Sequence, residues 1–354
     1  MSIKQQYGQF MTTRYEYILQ NMVIPDNITN IIEPFAGNGD LLKFLKKDFT
    51  IECYDIAPNN RPNTIQRDTL NDIPDYNNKW VLTNPPYLAR NKCKDKALFD
   101  KFGVNDLYKC FLKILITNKA LGGIIIVPLN FFSSIRVMDI YLREEFMKVY
   151  HIKTLNIFEE TVFDDTTFTV CSFRFDLIKL NKDLTKLKCL LETDIYIYPS
   201  KKNFKYTFSD SNKYTIGYLN IPNQKIYKIT RLINEEPNTN ILVKCIDDNA
   251  NNKISLKIVP TSEIYFDRTP NKSERTYCSL LISPPISIEK QQELVNKFNI
   301  YFNNYRNKYN SLFLSNYRES KKNFARKRVS FDLIYNLVGY FLTTSDEMLD
   351  KVFR

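Results

Sequence analysis

Apolar runs recur along the first half of the chain at residues 28–32, 51–54, 64–66, 80–82 and 124–127, with helical stretches between them. Such alternation predicts an α/β domain with a mostly parallel sheet covered on both faces. The next two runs, 152–158 and 168–175, are separated by a short acidic, threonine-rich segment, which predicts a final antiparallel hairpin at the sheet edge. From about Lys179 the pattern changes to short β-like pieces at 195–198 and 205–208, and then to mixed structure as far as Pro270. Helical periodicity returns at 287–317, where Ile288, Leu294, Val295, Phe298, Phe302, Tyr305 and Tyr309 are spaced to share a face, and again at 331–342. The expected organisation is a doubly wound, Rossmann-like domain over residues 1–180 and a smaller mixed domain over residues 181–354.

Composition narrows this frame. At 354 residues the chain is long enough for a substantial core and two domains. It contains no apolar run long enough to span a bilayer, and its N-terminus, MSIKQQYGQF, lacks the apolar core of a signal peptide, so an intracellular, cytoplasmic protein with no membrane partner is expected. Seven scattered cysteines without CxxC spacing favour reduced thiols and give no metal site. A lone histidine, His151, at the head of an apolar run reads as a strand-edge residue and weighs against histidine-based acid–base chemistry. Charge is lopsided: residues 1–180 carry 22 Lys and Arg against 21 Asp and Glu, whereas residues 181–354 carry 28 against 18. A basic second half is the electrostatic footprint of a protein that holds a polyanion.

The most informative motif is Asn84-Pro85-Pro86-Tyr87, at the end of the apolar run 80–82. Two consecutive prolines have no backbone N–H and hold φ near about −65°, so Asn84 is extended and the turn is rigid and rich in acceptors. The Asn84 side-chain oxygen and the Pro85 carbonyl can both accept from an exocyclic NH₂ while Tyr87 stacks on its ring. Upstream, Glu33-Pro34-Phe35-Ala36-Gly37-Asn38-Gly39-Asp40 follows the first run and leads into a helical stretch at 41–47. Glycines at a strand-to-helix turn let a ligand approach the backbone at the carboxyl edge of the sheet. Asp55, with Ile56 beside it, ends the second run, where a carboxylate can accept ribose hydroxyls. Asp68 follows the third, where one can accept from an adenine amine. The dinucleotide fingerprint is absent, because Leu42 stands where its third glycine would be. S-adenosylmethionine fits this set, with adenine near Asp68, ribose on Asp55 and the methionine part over Gly37 and Gly39 beside Glu33.

With these motifs in this order, the chain resembles the amino-group DNA methyltransferases of the gamma class, the TaqI-like N6-adenine enzymes. The likeness covers about residues 5–180. It implies direct methyl transfer from S-adenosylmethionine to a flipped adenine in double-stranded DNA, with residues 181–354 as the variable target-recognition region. The resemblance also implies a threonine in an N-terminal segment that closes over the methionine part of the cofactor. Thr12 matches, although Thr13 replaces the usual proline. It implies an aromatic that stacks on the flipped base, for which Phe163 is the matching position and Phe168 the fallback. No Pro-Cys dipeptide is present, which argues against attack on a cytosine ring carbon.

The basic cluster Lys321, Lys322, Arg326, Lys327 and Arg328 reads either as phosphate-binding or as a solvated charge run. Ser283-Pro284-Pro285-Ile286 reads as a helix start, because Ile286 cannot stack as an aromatic would. RNA adenine, cytosine N4 and protein glutamine remain alternative acceptors, and an inactive DNA-binding specificity module is the alternative of a different class. A cognate restriction endonuclease acting separately is a compatible partner, and the oligomeric state, monomer or dimer, is left open.

Overall fold

The computed structural model describes residues 10–58, 62–163, 168–178, 191–222, 224–247, 253–266, 277–319 and 325–344. The chain divides into two compact units, Met1–Ile216 and Gly217–Arg354. The first is built on a nine-stranded mixed sheet: β1 (Asn30–Glu33), β2 (Thr50–Asp55), β3 (Thr64–Gln66), β4 (Trp80–Thr83), β5 (Gly122–Pro128), β6 (Tyr150–Phe158), β7 (Val170–Leu177), β8 (Glu192–Tyr198) and β9 (Lys202–Thr207). Its strand order is β3-β2-β1-β4-β5-β7-β6-β8-β9. Strands β1 to β5 pair in parallel, and β4 and β5 are buried along their whole length, as continuous apolar strands must be when both sheet faces are covered. The order reverses between β1 and β4. In open α/β sheets such a reversal leaves a crevice beyond the carboxyl ends of the strands.

Three local expectations change. The antiparallel hairpin forms from β6 and β7, but β7 inserts between β5 and β6, so the hairpin is not the edge of the sheet. Instead β8 pairs in parallel with β6 and β9 closes the sheet, which carries the first unit past the expected limit at residue 180. The stretch at 41–47 forms only a short 3-10 helix, Asp40–Phe44. Gly39 enters it at φ +74°, and the chain must rise into β2 at Thr50, which leaves too few residues for an α-helix with a capped end. His151 accordingly sits on an interior strand, with its Nε2 3.1 Å from the Glu192 carbonyl oxygen, and burial lowers its pKa to about 4.

Two longer helices cover the sheet near its middle, α1 (Leu107–Asn118) and α2 (Val137–Val149). Helix α1 buries Tyr108, Phe111, Leu112 and Leu115, spaced three and four apart as an amphipathic helix requires. Near the starts of the two helices, Lys109 and Asp139 form a buried ion pair at 2.5 Å, and the second oxygen of Asp139 accepts the Ser134 hydroxyl.

The second unit pairs β10 (Lys228–Arg231), β11 (Ile241–Lys244), β13 (Ser255–Ile258) and β14 (Tyr277–Ser283) into an antiparallel sheet of order β10-β14-β11-β13. A three-stranded sheet joins β12 (Ile246–Asp247), β16 (Ala325–Arg328) and β15 (Ser315–Glu319). Helices α3 (Ile288–Tyr309) and α4 (Phe331–Thr343) bury Leu294, Phe298, Phe302, Ile334, Leu337 and Phe341 in one apolar core with Ile241, Val243 and Ile282. Ser287 caps α3, two residues after Pro285. Among the described residues, no helix is long and apolar enough to cross a membrane.

Gly123 lies in β5 where β4 and β7 close on either side. A Cβ there would stand 2.5 Å from the Val81 carbonyl oxygen and 3.0 Å from the Phe175 ring. Backbone of a central strand cannot yield as a flexible side chain can. Gly123→Ala is expected to destabilise the first unit by about 1–3 kcal/mol, read as a lower urea midpoint at unchanged slope.

Candidate active site

Because β1 to β4 are parallel, their carboxyl ends lie along one edge, and each ends in or near a polar residue singled out by the sequence. Glu33 is buried at the end of β1, and its Oε1 accepts the Phe35 N–H at 3.1 Å and the Thr83 hydroxyl. It therefore fastens the end of β1 to the end of β4. Asp55, buried at the end of β2, accepts the Gly37 N–H on Oδ2 and the Ala57 N–H on Oδ1, both at 2.8 Å. Asp68, just beyond β3, accepts the Leu70 N–H at 3.2 Å and the Asn71 side-chain amide at 2.8 Å. Thr69 donates its hydroxyl to the Pro34 carbonyl at 3.0 Å, hooking this loop to the glycine loop. Gly37 has φ +50°, and a Cβ there would meet only Met11 Sδ, at 3.7 Å. The backbone at Gly37 is thus open to a ligand.

Above these loops lies a cavity of about 810 Å³, within the range of small-molecule sites. Gly37, Asp55, Ile56, Asp68, Asn84 and Pro86 line it; Thr12, Glu33, Pro34, Gly39, Pro85 and Tyr87 are not among its lining residues. Phe35, Leu70, Leu98, Phe99 and Leu107 supply apolar lining, and Lys92, Cys93, Lys94 and Asp95 form a polar rim. Apart from Phe35 of the glycine loop, this second group carries no local signal along the chain, because its members reach the cavity from loops and helices whose approach depends on the completed sheet. The lining thus combines apolar side chains, the carboxylates of Asp55 and Asp68, and the glycine backbone at Gly37, which meets Asp55 directly.

The Asn84-Pro85-Pro86-Tyr87 turn sits at one end of this cavity. Asn84 Nδ2 donates to the Phe10 carbonyl at 3.0 Å and to Thr12 Oγ1 at 3.1 Å, and its Oδ1 accepts from the Tyr87 hydroxyl. The same hydroxyl lies 2.9 Å from the Ile126 carbonyl of β5. Tyr87 is buried, and burial pushes its phenol well above the ordinary tyrosine range, so it remains a neutral donor. Its ring, expected to face an acceptor base, stacks instead on Phe10, with centroids 5.2 Å apart and planes 29° apart, and meets Tyr108 edge-on at 6.1 Å. Phe163 is buried with its ring 6.2 Å from that of Phe10. Phe10 joins the site only through these long-range contacts; along the chain its one signal is its place two residues before Thr12. Phe168, the fallback position, precedes β7.

Of the basic cluster in the second unit, Lys321 and Lys322 lie outside the described residues. Arg326 is exposed and Arg328 half-buried on β16, while Lys327, between them, is buried and reaches toward the Asn310 carbonyl at 3.4 Å. Alternation along a strand sends neighbours to opposite faces, so a run contiguous in sequence is split between surface and interior.

Asp106, at the start of α1, lies beside Tyr87 and Tyr108, with its Oδ1 buried and, among the described residues, without a hydrogen-bond partner. Burial pushes its carboxyl up to about 6 from the ordinary 3.8, although the Lys109 charge and neighbouring backbone N–H groups pull the other way. A carboxyl whose folded pKa is raised contributes stability that is full below pH ~4 and lost as pH rises through ~6. Asp106→Asn is expected to abolish this loss and to be more stable than the wild type at pH 7.5 by up to about 3 kcal/mol. Urea titrations at pH 4.5 and pH 7.5 measure the difference.

No protein-family model matches the chain, and no curated protein matches its sequence. Solved structures with a similar fold include a type I restriction-modification methyltransferase subunit from Streptococcus thermophilus, at 14% identity and TM-score 0.39 over 56% of this chain and 49% of that one. The M protein of the type I restriction enzyme EcoKI is similar at 16% identity and TM-score 0.36, over 55% of this chain and 49% of that one. The type IIL restriction-modification enzyme MmeI, in complex with DNA, is similar at 13% identity and TM-score 0.39, over 61% of this chain and 40% of that one. The chain thus aligns with about half the length of the two methyltransferase subunits.

Proposed function

We propose that the chain is an S-adenosylmethionine-dependent DNA methyltransferase acting on the N6 amine of adenine. One observation carries the reading. The side chain of Asn84 stands at the junction of a nucleoside-sized cavity, walled by Gly37, Asp55, Ile56 and Asp68, and a cluster of aromatic rings that includes Tyr87 and Phe163. When bound, S-adenosylmethionine supplies an electrophilic methyl group on a sulfonium. Asp55 and Asp68 would hold its ribose and adenine, each with lone pairs left after accepting backbone N–H groups. Ile56 and Leu70 would cover the adenine ring, and the open backbone at Gly37 would take the amino-acid tail.

An exocyclic amine conjugated to a heteroaromatic ring is a weak nucleophile, and it gains positive charge as it attacks. The Asn84 oxygen and the Pro85 carbonyl are acceptors fixed in place before that charge develops, so they stabilise the transition state more than the ground state. No cysteine nucleophile is required for this chemistry. The acceptor base must leave the duplex to reach Asn84, and stacking on Tyr87 and Phe163 would offset part of the cost of extruding it. The second unit, residues 217–354, carries 21 Lys and Arg against 14 Asp and Glu, which supports contact with a nucleic-acid backbone.

Expression in a methylation-free host followed by single-molecule sequencing is expected to reveal N6-methyladenine in a discrete sequence motif. Asn84→Ala is expected to lower methyl transfer by about 10²–10³-fold; undiminished transfer by this variant would overturn the assignment. In calorimetry, Asp68→Ala is expected to weaken S-adenosylmethionine binding by about 10–100-fold, the worth of a hydrogen bond to a charged group.

A further inference from the structure

We propose that Phe10 is a gate residue whose ring stands in the place of the planar acceptor. The inference rests on the reading of Asn84-Tyr87 as the acceptor turn and adds a residue that must leave before an acceptor can be seated. Three contacts converge on Phe10. Its ring stacks on Tyr87 and lies within reach of Phe163, the two aromatics assigned to the acceptor base. Its carbonyl accepts from Asn84 Nδ2, so the amide assigned to the incoming amine holds the gate at the same time. Its side chain also lines the cofactor cavity, and the next residue, Met11, packs toward Gly37.

Chemical equivalence makes this arrangement competitive. A phenyl ring in an offset stack on a tyrosine uses the π-face that a nucleobase would use. The phenyl ring has no amine, so it satisfies the aromatic surface and leaves the Asn84 oxygen to the Tyr87 hydroxyl. An adenine that displaces it regains the stack and adds an amine donor for the Asn84 oxygen and the Pro85 carbonyl. A ring without that amine regains only the stack. The gate therefore sets a threshold that favours amine-bearing rings over others of similar area.

The test is an NMR titration of the full chain with 2′-deoxyadenosine, comparing wild type, Phe10→Ala and the double variant Phe10→Ala with Tyr87→Ala. Phe10→Ala is expected to bind deoxyadenosine about tenfold more tightly than the wild type, the worth of one aromatic pair removed from competition. The gain is expected to vanish in the double variant. Where Phe10→Ala does not fold, Phe10→Leu keeps the apolar bulk without the ring and is expected to show a gain of about threefold. Affinity that is unchanged or weaker in the folded variant overturns the gate. Adenine methylation by the wild type is measured separately: a chain that methylates adenine without a gain in Phe10→Ala keeps the proposed function and loses the gate. A chain that binds no deoxyadenosine in any form and does not methylate adenine loses both.

Discussion

The amide of Asn84 is the interaction on which the geometry of this edge of the sheet depends. Prolines at positions 85 and 86 remove two backbone donors just where β4 ends, so the turn cannot be tied by main-chain hydrogen bonds in the usual way. The Asn84 side chain supplies what the backbone lacks. Its two N–H groups reach the Phe10 carbonyl and the Thr12 hydroxyl, and its oxygen meets the Tyr87 hydroxyl, which in turn lies against β5 at Ile126. Three segments distant in sequence, the stretch at residues 10–12, the proline turn and β5, are thereby joined around one planar group. A planar amide with a fixed set of partners has little rotational freedom, so its oxygen is positioned in advance of any acceptor.

The carboxylates of this edge follow a related logic. Glu33 and Asp55 are buried at the ends of adjacent strands, where burial alone would penalise their charge, and the half-buried Asp68 follows the third. Each accepts hydrogen bonds from backbone N–H groups of the loops that follow the strands. These bonds make the acids partly structural: they hold the glycine loop and the β3 loop in the shape that leaves the cavity open. A carboxylate that shapes a loop with one lone pair and offers another to a ligand can do both without rearrangement.

What the sequence revealed and what it hid divide along the range of the interactions. The glycine loop, the strand-ending acids and the proline turn were legible, because each depends on residue types that a local backbone conformation demands. The strand alternation was legible for the same reason, and it led to the mostly parallel sheet. Phe10 was not, since its role exists only when residues 77 positions apart meet. Nor was the insertion of β7 between β5 and β6, or the extension of the sheet by β8 and β9, because strand order is a long-range property that periodicity does not encode. Lys327 shows the same limit on a smaller scale: composition placed it in a basic cluster, and the pleat of β16 turned it inward.

Below the turn lies a polar network whose worth is positional. Lys109 pairs with Asp139, Asp139 accepts from Ser134, and the fully buried Arg143 donates to the carbonyls of Phe131 and Ser134 and to the Thr215 hydroxyl. Burial lowers the Arg143 pKa to about 10, which still leaves it charged at neutral pH. Buried charges of this kind rarely exceed a well-packed apolar alternative in stability. Most of these groups, however, Phe131, Ser134, Asp139 and Arg143, lie in the segment that leaves β5 and in α2, beyond Ile126, whose carbonyl meets Tyr87, while Lys109 and Thr215 reach them from α1 and from the segment after β9. An apolar core would fill that volume but would not fix the direction of the Phe131 and Ser134 carbonyls. The ionic network does, and in doing so it holds the chain leaving β5 at a set distance from the aromatic turn that β5 supports.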